Sequence, residues 1–196
     1  MLNIHTLTLG AYGTNCYIVH DSASETCCVI DPGYTPEKVL SEVNALGLTV
    51  EAILLTHGHF DHVGGVKEIA AETGCDVYLC ADELTMPPQI TAGPLYYTKT
   101  YDEGDTLHLA GLTISVIRTP GHTPGSVCLL IDDAMFCGDT LFAGSCGRTD
   151  FPGGSDAAMG ASLRRLAGLS ADYRVYPGHG MDTTLAEEKR YNPYLR

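Results

Sequence analysis

The sequence predicts an α/β protein with strands and helices stacked in layers, and three observations predict it. Short apolar runs alternate with helix-patterned segments from residue 14 onward. The second half resembles the first in plan, without the sequence identity of a repeat: strands, then a helix, then a strand ending in a histidine. Several of the apolar runs stop at a glycine-bearing turn that carries a histidine or an aspartate. Alternation of this kind is the pattern of α/β layer architectures.

"NCYIVHD" and "TCCVIDPG" read as two short strands joined by a polar turn. "TPEKVLSEVNALG" follows as a helix, with Thr35 as its N-cap, Val39, Leu40, Val43 and Leu46 on one apolar face, and Gly47 at its end. "AILLT" is a buried strand, "GGVKEIAAETG" a helix and "DVYLC" a strand. Residues 86–105 break the rhythm with three prolines, two glycines and three tyrosines, and read as a long surface loop. Tyr96, Tyr97 and Tyr101 either line a substrate cleft from this loop or pack it onto the body. Lys99 among them is a candidate for steering an acidic substrate. Four strands follow: "TLHLAG", "LTISVIRT", "SVCLLID" and "AMFCGD". "SDAAMGASLRRLAGL" is a helix, "YRVYPGH" a strand, and "TTLAEEKRYNPYL" a last helix stopped by Pro193.

Eleven Lys and Arg against 24 Asp and Glu leave a formal charge of −13. That balance argues against a nucleic-acid partner, which needs a basic footprint, and against an anionic membrane surface. No apolar run is long enough to span a bilayer, and the start "MLNIHTLTLGAYG" lacks the features of a secretory signal. None of the eight cysteines forms a CxxC pair, and most sit in apolar runs, so they read as buried free thiols of a cytoplasmic protein.

The chemistry is concentrated in "THGHFDH", which places His57, His59, Asp61 and His62 in six consecutive residues. His122 in "TPGHTPGS", Asp139 in "FCGDT" and His179 in "YPGHG" occupy similar post-strand turns. Strands ending on one edge of a packed sheet would bring all seven together. Crowded imidazoles and carboxylates without a cation would be costly to bury. Neutral imidazole and carboxylate ligands suit zinc, iron or manganese. Five imidazoles and two carboxylates are enough for two ions with one carboxylate shared, and two metals about 3.5–4 Å apart can hold a water between them. His5, His20 and His108 carry no assignment.

"THGHFDH" resembles the HxHxDH signature of the metallo-β-lactamase-fold superfamily, and His122, Asp139 and His179 match its remaining metal positions in order. The resemblance implies a four-layer αββα sandwich, formed by residues 1–196 as a single domain, with the metal site at one edge of the two sheets. It implies that His57, His59 and His122 hold one metal, that Asp61, His62 and His179 hold a second, and that Asp139 bridges. Asp31 in "VIDPG" resembles a structural position of the family. "DTLFAGSCGRTDFPGG" and the tail from Tyr176 are similar to glyoxalase II-type thioester hydrolases (hydroxyacylglutathione hydrolases), in their small form without the C-terminal helical domain that grips glutathione. This implies a small-molecule thioester substrate, two divalent ions (zinc, with iron or manganese as alternatives) and attack by a metal-bridging hydroxide that Asp61 helps to orient. "GSCGRTDF" also resembles persulfide dioxygenases, in which His57, His122 and Asp139 would hold a single iron. Arg148 in this segment either binds a substrate carboxylate or pairs internally with Asp150. Zinc β-lactamases fit less well: the common ones carry Cys or Ser where Asp139 stands, and a secreted one would need an export signal.

Overall fold

Period-two alternation along the strands builds the layers. In Thr26–Ile30, Cys28 and Ile30 face one hydrophobic cluster while Cys27 and Val29 face another. In Ala134–Gly138, Ala134 and Phe136 face that first cluster, and Met135 and Cys137 face a third. Such strands are apolar on both sides because both faces are covered, which explains their continuous hydrophobic runs.

In a computed structural model, which describes residues 1–195, the strands are β1 (Leu2–Leu9), β2 (Thr14–Asp21), β3 (Thr26–Ile30), β4 (Thr49–Leu54), β5 (Asp76–Cys80), β6 (Lys99–Tyr101), β7 (Thr106–Leu109), β8 (Leu112–Arg118), β9 (Val127–Ile131), β10 (Ala134–Gly138), β11 (Leu141–Phe142), β12 (Ser145–Cys146), β13 (Arg174–Pro177) and β14 (Thr183–Thr184). The α-helices are α1 (Pro36–Ala45), α2 (Phe60–Val63), α3 (Val66–Thr73), α4 (Pro88–Thr91), α5 (Asp156–Ala167) and α6 (Leu185–Tyr191). One sheet runs β1-β2-β3-β4-β5-β6 and the other β14-β13-β10-β9-β8-β7, with β11 and β12 as a separate small hairpin. The central core lies between the sheets, where Val19, Ile30 and Leu54 meet Ile114, Leu129 and Phe136. Helices α1 and α3 cover the outer face of the first sheet through Val39, Val43, Val66 and Ile69. Helices α5 and α6 cover the second through Met159, Leu163, Leu166 and Leu185. This is the αββα sandwich that the resemblance implies.

Four local readings are corrected. Leu2–Leu9 is an edge strand that the sequence does not announce. Its apolar phase flips midway: Leu2 and Ile4 join the central core, whereas Leu7 and Leu9 join the helix-covered face. Thr35 does not cap α1; it lies before a proline, adopts φ 47° and makes no capping hydrogen bond. The loop at 86–105 contains α4 and also β6, which pairs in parallel with β5. The last segment divides into β14, α6 capped by Thr184, and a turn of 3-10 helix at Pro193–Leu195. All eight cysteines are free, and seven of them are buried. No helix among the described residues is long and apolar enough to cross a membrane.

Phe136 is fully buried at the centre, stacked on Tyr176 and edge-on to Tyr17. Phe136→Ala is expected to cost about 3–5 kcal/mol of stability, read from denaturant unfolding.

Candidate metal centre and active-site cavity

Strand direction brings the site together. β3 and β4 are parallel, as are β10 and β13, and β8 runs parallel to β10 because each is antiparallel to β9. The C-terminal ends of β3 and β4 therefore share one edge of the first sheet and those of β8, β10 and β13 one edge of the second, and the Val127 N–H to Thr56 carbonyl bond brings the two edges together. Asp31 follows β3. His57 and His59 follow β4, with Asp61 and His62 on the single-turn α2. His122 follows β8, Asp139 follows β10 and His179 follows β13. All seven residues singled out in the sequence converge there.

Three groups of ligand atoms lie close enough to hold a metal ion: His57, His59 and His122; Asp61, His62 and His179; and Asp31, His57 and His62, which shares a histidine with each of the other two. The Asp139 carboxylate faces the first two. Its Oδ2 lies 3.4 Å from His122 Nε2 and 3.5 Å from His179 Nε2, and its Oδ1 lies 3.5 Å from His62 Nε2. Across the first triplet His59 Nδ1 is 2.8 Å from His122 Nε2. Across the second, His179 Nε2 is 3.2 Å from Asp61 Oδ2 and 3.4 Å from His62 Nε2. There is no room for a side chain behind this arrangement, since a Cβ on Gly178 would fall 2.2 Å from Asp139 Oδ1.

Outer hydrogen bonds set which nitrogen each imidazole presents. His62 Nδ1 donates to Asp31 Oδ2 at 3.0 Å. Thr56 Oγ1 donates its proton to the same oxygen at 2.6 Å, so toward His57 Nδ1, 3.1 Å away, it can only accept. His122 Nδ1 donates to the Arg148 carbonyl at 2.7 Å, and His179 Nδ1 to the Tyr12 carbonyl at 3.2 Å. Four imidazoles are thus oriented with Nε2 inward, as outer-shell partners orient metal ligands. Among the described residues, His57 Nε2, His59 Nε2 and Asp139 Oδ1 are buried without a hydrogen-bond partner. Buried polar atoms are rarely left so, and a bound cation would satisfy this donor set.

The electrostatics divide the imidazoles. Burial pushes His57 well below its ordinary value, with His62 and His122 adding to the effect. Burial and His122 bring His59 down to about 4. Burial also lowers His122, against the pull of Asp139. For His62, burial is outweighed by Asp139 and Asp31, which hold it well above its ordinary value. Burial likewise opposes the proton on His179, but its bond to Asp61 raises it. Burial pushes both carboxyls up, yet His62, His122 and His179 hold Asp139 below the carboxylate range, and His179 and His62 lower Asp61 from its ordinary value.

His59, Asp61, His122, Asp139 and His179 line a cavity of about 510 Å³, walled by Tyr12, Phe60, Ile90, Phe142, Cys146 and Phe151. Arg148 lines it as well, but its Nε and Nη2 donate to both oxygens of Asp150 at 2.7 and 2.8 Å, and its guanidinium lies 3.8 Å from the Phe151 ring centre. Tyr97 does not line the cavity; it is 39% exposed at the surface. Tyr101 is buried and donates to the Leu55 carbonyl, and Lys99 pairs with Asp76 at 2.6 Å. Of the three tyrosines Tyr101 alone packs into the body, while Tyr96 and Tyr97 stay exposed, and β6 extends the first sheet away from the site. The sequence reading missed the walls Tyr12, Phe60, Ile90, Phe142 and Phe151. Phe60 and Phe151 stand beside recognised motif residues, a signal that could have found them; Ile90 carries none.

A family model described as the metallo-beta-lactamase superfamily matches residues 9–179. The chain belongs to this superfamily. Within it, the chain is 32% identical to "Hydroxyacylglutathione hydrolase GloC" of Haemophilus influenzae, over 99% of this chain and 98% of that one. It is similar to the solved structure of BLEG-1 B3 metallo-beta-lactamase at 33% identity and a TM-score of 0.89, covering 100% and 99% of the two chains. TTHA1623 in a di-iron-bound form matches at 39% identity and 0.86, over 97% and 100%. ETHE1 from Myxococcus xanthus matches at 30% identity and 0.82, over 97% and 83%.

Metal ligands must be deprotonated, and His62 and His179 hold their protons above the ordinary histidine value. Adding Zn²⁺ to metal-free protein at neutral pH is expected to release protons, with affinity rising as pH rises. Calorimetry in buffers of different ionisation enthalpy measures this, and binding without proton release would contradict it.

Proposed function

We propose that the protein is a metal-dependent hydrolase of small-molecule thioesters that uses two divalent ions, zinc in the first instance. The observation that carries this reading is the Asp139 carboxylate, which faces imidazoles of both triplets at 3.4–3.5 Å. In this reading His57, His59 and His122 would hold one ion and Asp61, His62 and His179 the other, with Asp139 facing both sets. Bound there, the ions would lower the pKa of a water toward neutrality and would supply positive charge for the carbonyl oxygen. The relative named hydroxyacylglutathione hydrolase supports a thioester as the bond that is cleaved.

The chain's own groups do the rest. Asp61 Oδ2 accepts from Thr14 Oγ1 at 3.3 Å and faces His179, an orientation suited to aligning the attacking water. The aromatic wall of Phe60, Phe142 and Phe151 seats the substrate and limits bulk water. The leaving thiolate needs no dedicated acid, since a thiol ionises near pH 8–9 (about 8.5 for cysteine). Arg148 stands at the wall as the group for a substrate carboxylate, which would compete with Asp150 for the guanidinium fork.

A second reading, a mononuclear iron persulfide dioxygenase, draws on the "GSCGRTDF" segment and the likeness to ETHE1. In it His57, His122 and Asp139 hold the iron.

Element-resolved mass spectrometry of purified protein is expected to find about two ions per chain. Acyl-thioesters are expected to be hydrolysed, with activity falling about 10²-fold or more in His59→Ala and Asp61→Ala. One iron per chain with persulfide-dependent oxygen uptake would favour the second reading. Turnover of a β-lactam in place of thioesters would overturn both.

A further inference from the structure

We propose that Glu83 is a positioning residue for the His57, His59 and His122 triplet, setting the separation of His59 and His122 for a metal ion. The inference rests on the reading of that triplet as one ion's ligands. Glu83 lies in the 3-10 turn Ala81–Thr85 that follows β5, and its side chain is fully buried. A carboxylate in that position is costly unless its oxygens accept hydrogen bonds. Both oxygens do. Oε2 accepts the Gly58 N–H at 2.5 Å, and Oε1 accepts the Gly125 N–H at 2.7 Å.

Those two donors are informative. Gly58 stands between His57 and His59, on the loop that leaves the first sheet. Gly125 stands three residues after His122, on the loop between β8 and β9 of the second sheet. One carboxylate thus ties together the two loops that supply the triplet, across the gap between the sheets. The contact is with bare backbone on both sides: a Cβ on Gly58 would fall 2.9 Å from Oε2, and one on Gly125 would fall 2.8 Å from Oε1. The imidazoles so tied, His59 and His122, have ring nitrogens 2.8 Å apart. Glu83 is not among the residues lining the main cavity, so its influence passes through the histidines and not through substrate contact.

Asp31 does the corresponding work elsewhere. It accepts from Thr56 N–H at 2.8 Å, from the Thr56 hydroxyl and from His62 Nδ1, so it anchors His57 through Thr56 and anchors His62 directly. His59 makes no such outer bond to Asp31. The carboxylate beneath its loop is Glu83.

The test separates the two triplets. In a His179→Ala background the first triplet remains whole, and in a His59→Ala background the second does. Each background is titrated with Co²⁺ and followed by visible absorption. Glu83→Gln keeps the side chain's shape but turns an amide N–H₂ toward one of the two glycine donors. It is expected to weaken Co²⁺ binding by about 10–100-fold in the His179→Ala background and by less than about twofold in the His59→Ala background. Leu95→Ala removes packing from the same Gly58 loop without touching the hydrogen bonds, and it is expected to leave both affinities unchanged. If Glu83→Gln does not fold, Gly125→Ala, which crowds the carboxylate, is expected to give the same selective loss. Equal losses in both backgrounds, a loss confined to His59→Ala, or no loss would each overturn the proposal. Backgrounds that bind no Co²⁺ with Glu83 intact would instead overturn the metal reading, and this inference with it.

Discussion

Five imidazoles and two carboxylates meet at one sheet edge, and the rest of the site depends on how their outward hydrogen bonds are satisfied. Asp31, Thr56, the Arg148 carbonyl and the Tyr12 carbonyl take the Nδ1 protons of four histidines. On a neutral ring the inward nitrogen would then be a lone pair crowded against its neighbours. Such a cluster is stable only with protons or a cation between its members. His62 and His179 keep protons because carboxylates face them, while burial keeps His57 and His59 neutral.

The sandwich supplies the rigidity this requires. Each ligand-type residue sits within a few positions of a strand or helix end, and those strands are buried on both faces. Cross-sheet ties close the edge. Val127 N–H donates to the Thr56 carbonyl at 3.0 Å, Asn15 N–H to the Gly178 carbonyl at 2.8 Å, and Glu83 spans the loops of both sheets. The hairpin turn between β1 and β2 contributes twice, since the Tyr12 carbonyl holds His179 while the Tyr12 ring packs edge-on against Phe60 at the cavity wall.

The cavity and the cluster follow different rules. The cluster is polar, buried and built from residues whose chemistry is conspicuous. The wall is apolar and assembled from single residues on six separate segments, among them Ile90 on α4 and Phe142 on β11. Arg148 belongs to both worlds, lining the cavity while forked onto Asp150 and stacked on Phe151.

What the sequence by itself determined was the α/β alternation and the set of seven ligand-type residues. Strand periodicity and glycine-flanked histidines are local signals, readable without knowing what packs against what. The tertiary structure alone decided the rest. Leu2–Leu9 was hidden because its apolar phase flips where it passes from one hydrophobic layer to the other. The tyrosines of residues 86–105 looked suited to a cleft, yet sheet pairing through β6 directs Tyr101 into the core and leaves Tyr97 at the surface. Glu83 in "ADELT" resembles any charged residue of a short turn until two distant loops close over it. Contacts between segments far apart in the chain leave no periodic mark on either segment, so only the folded arrangement reveals them.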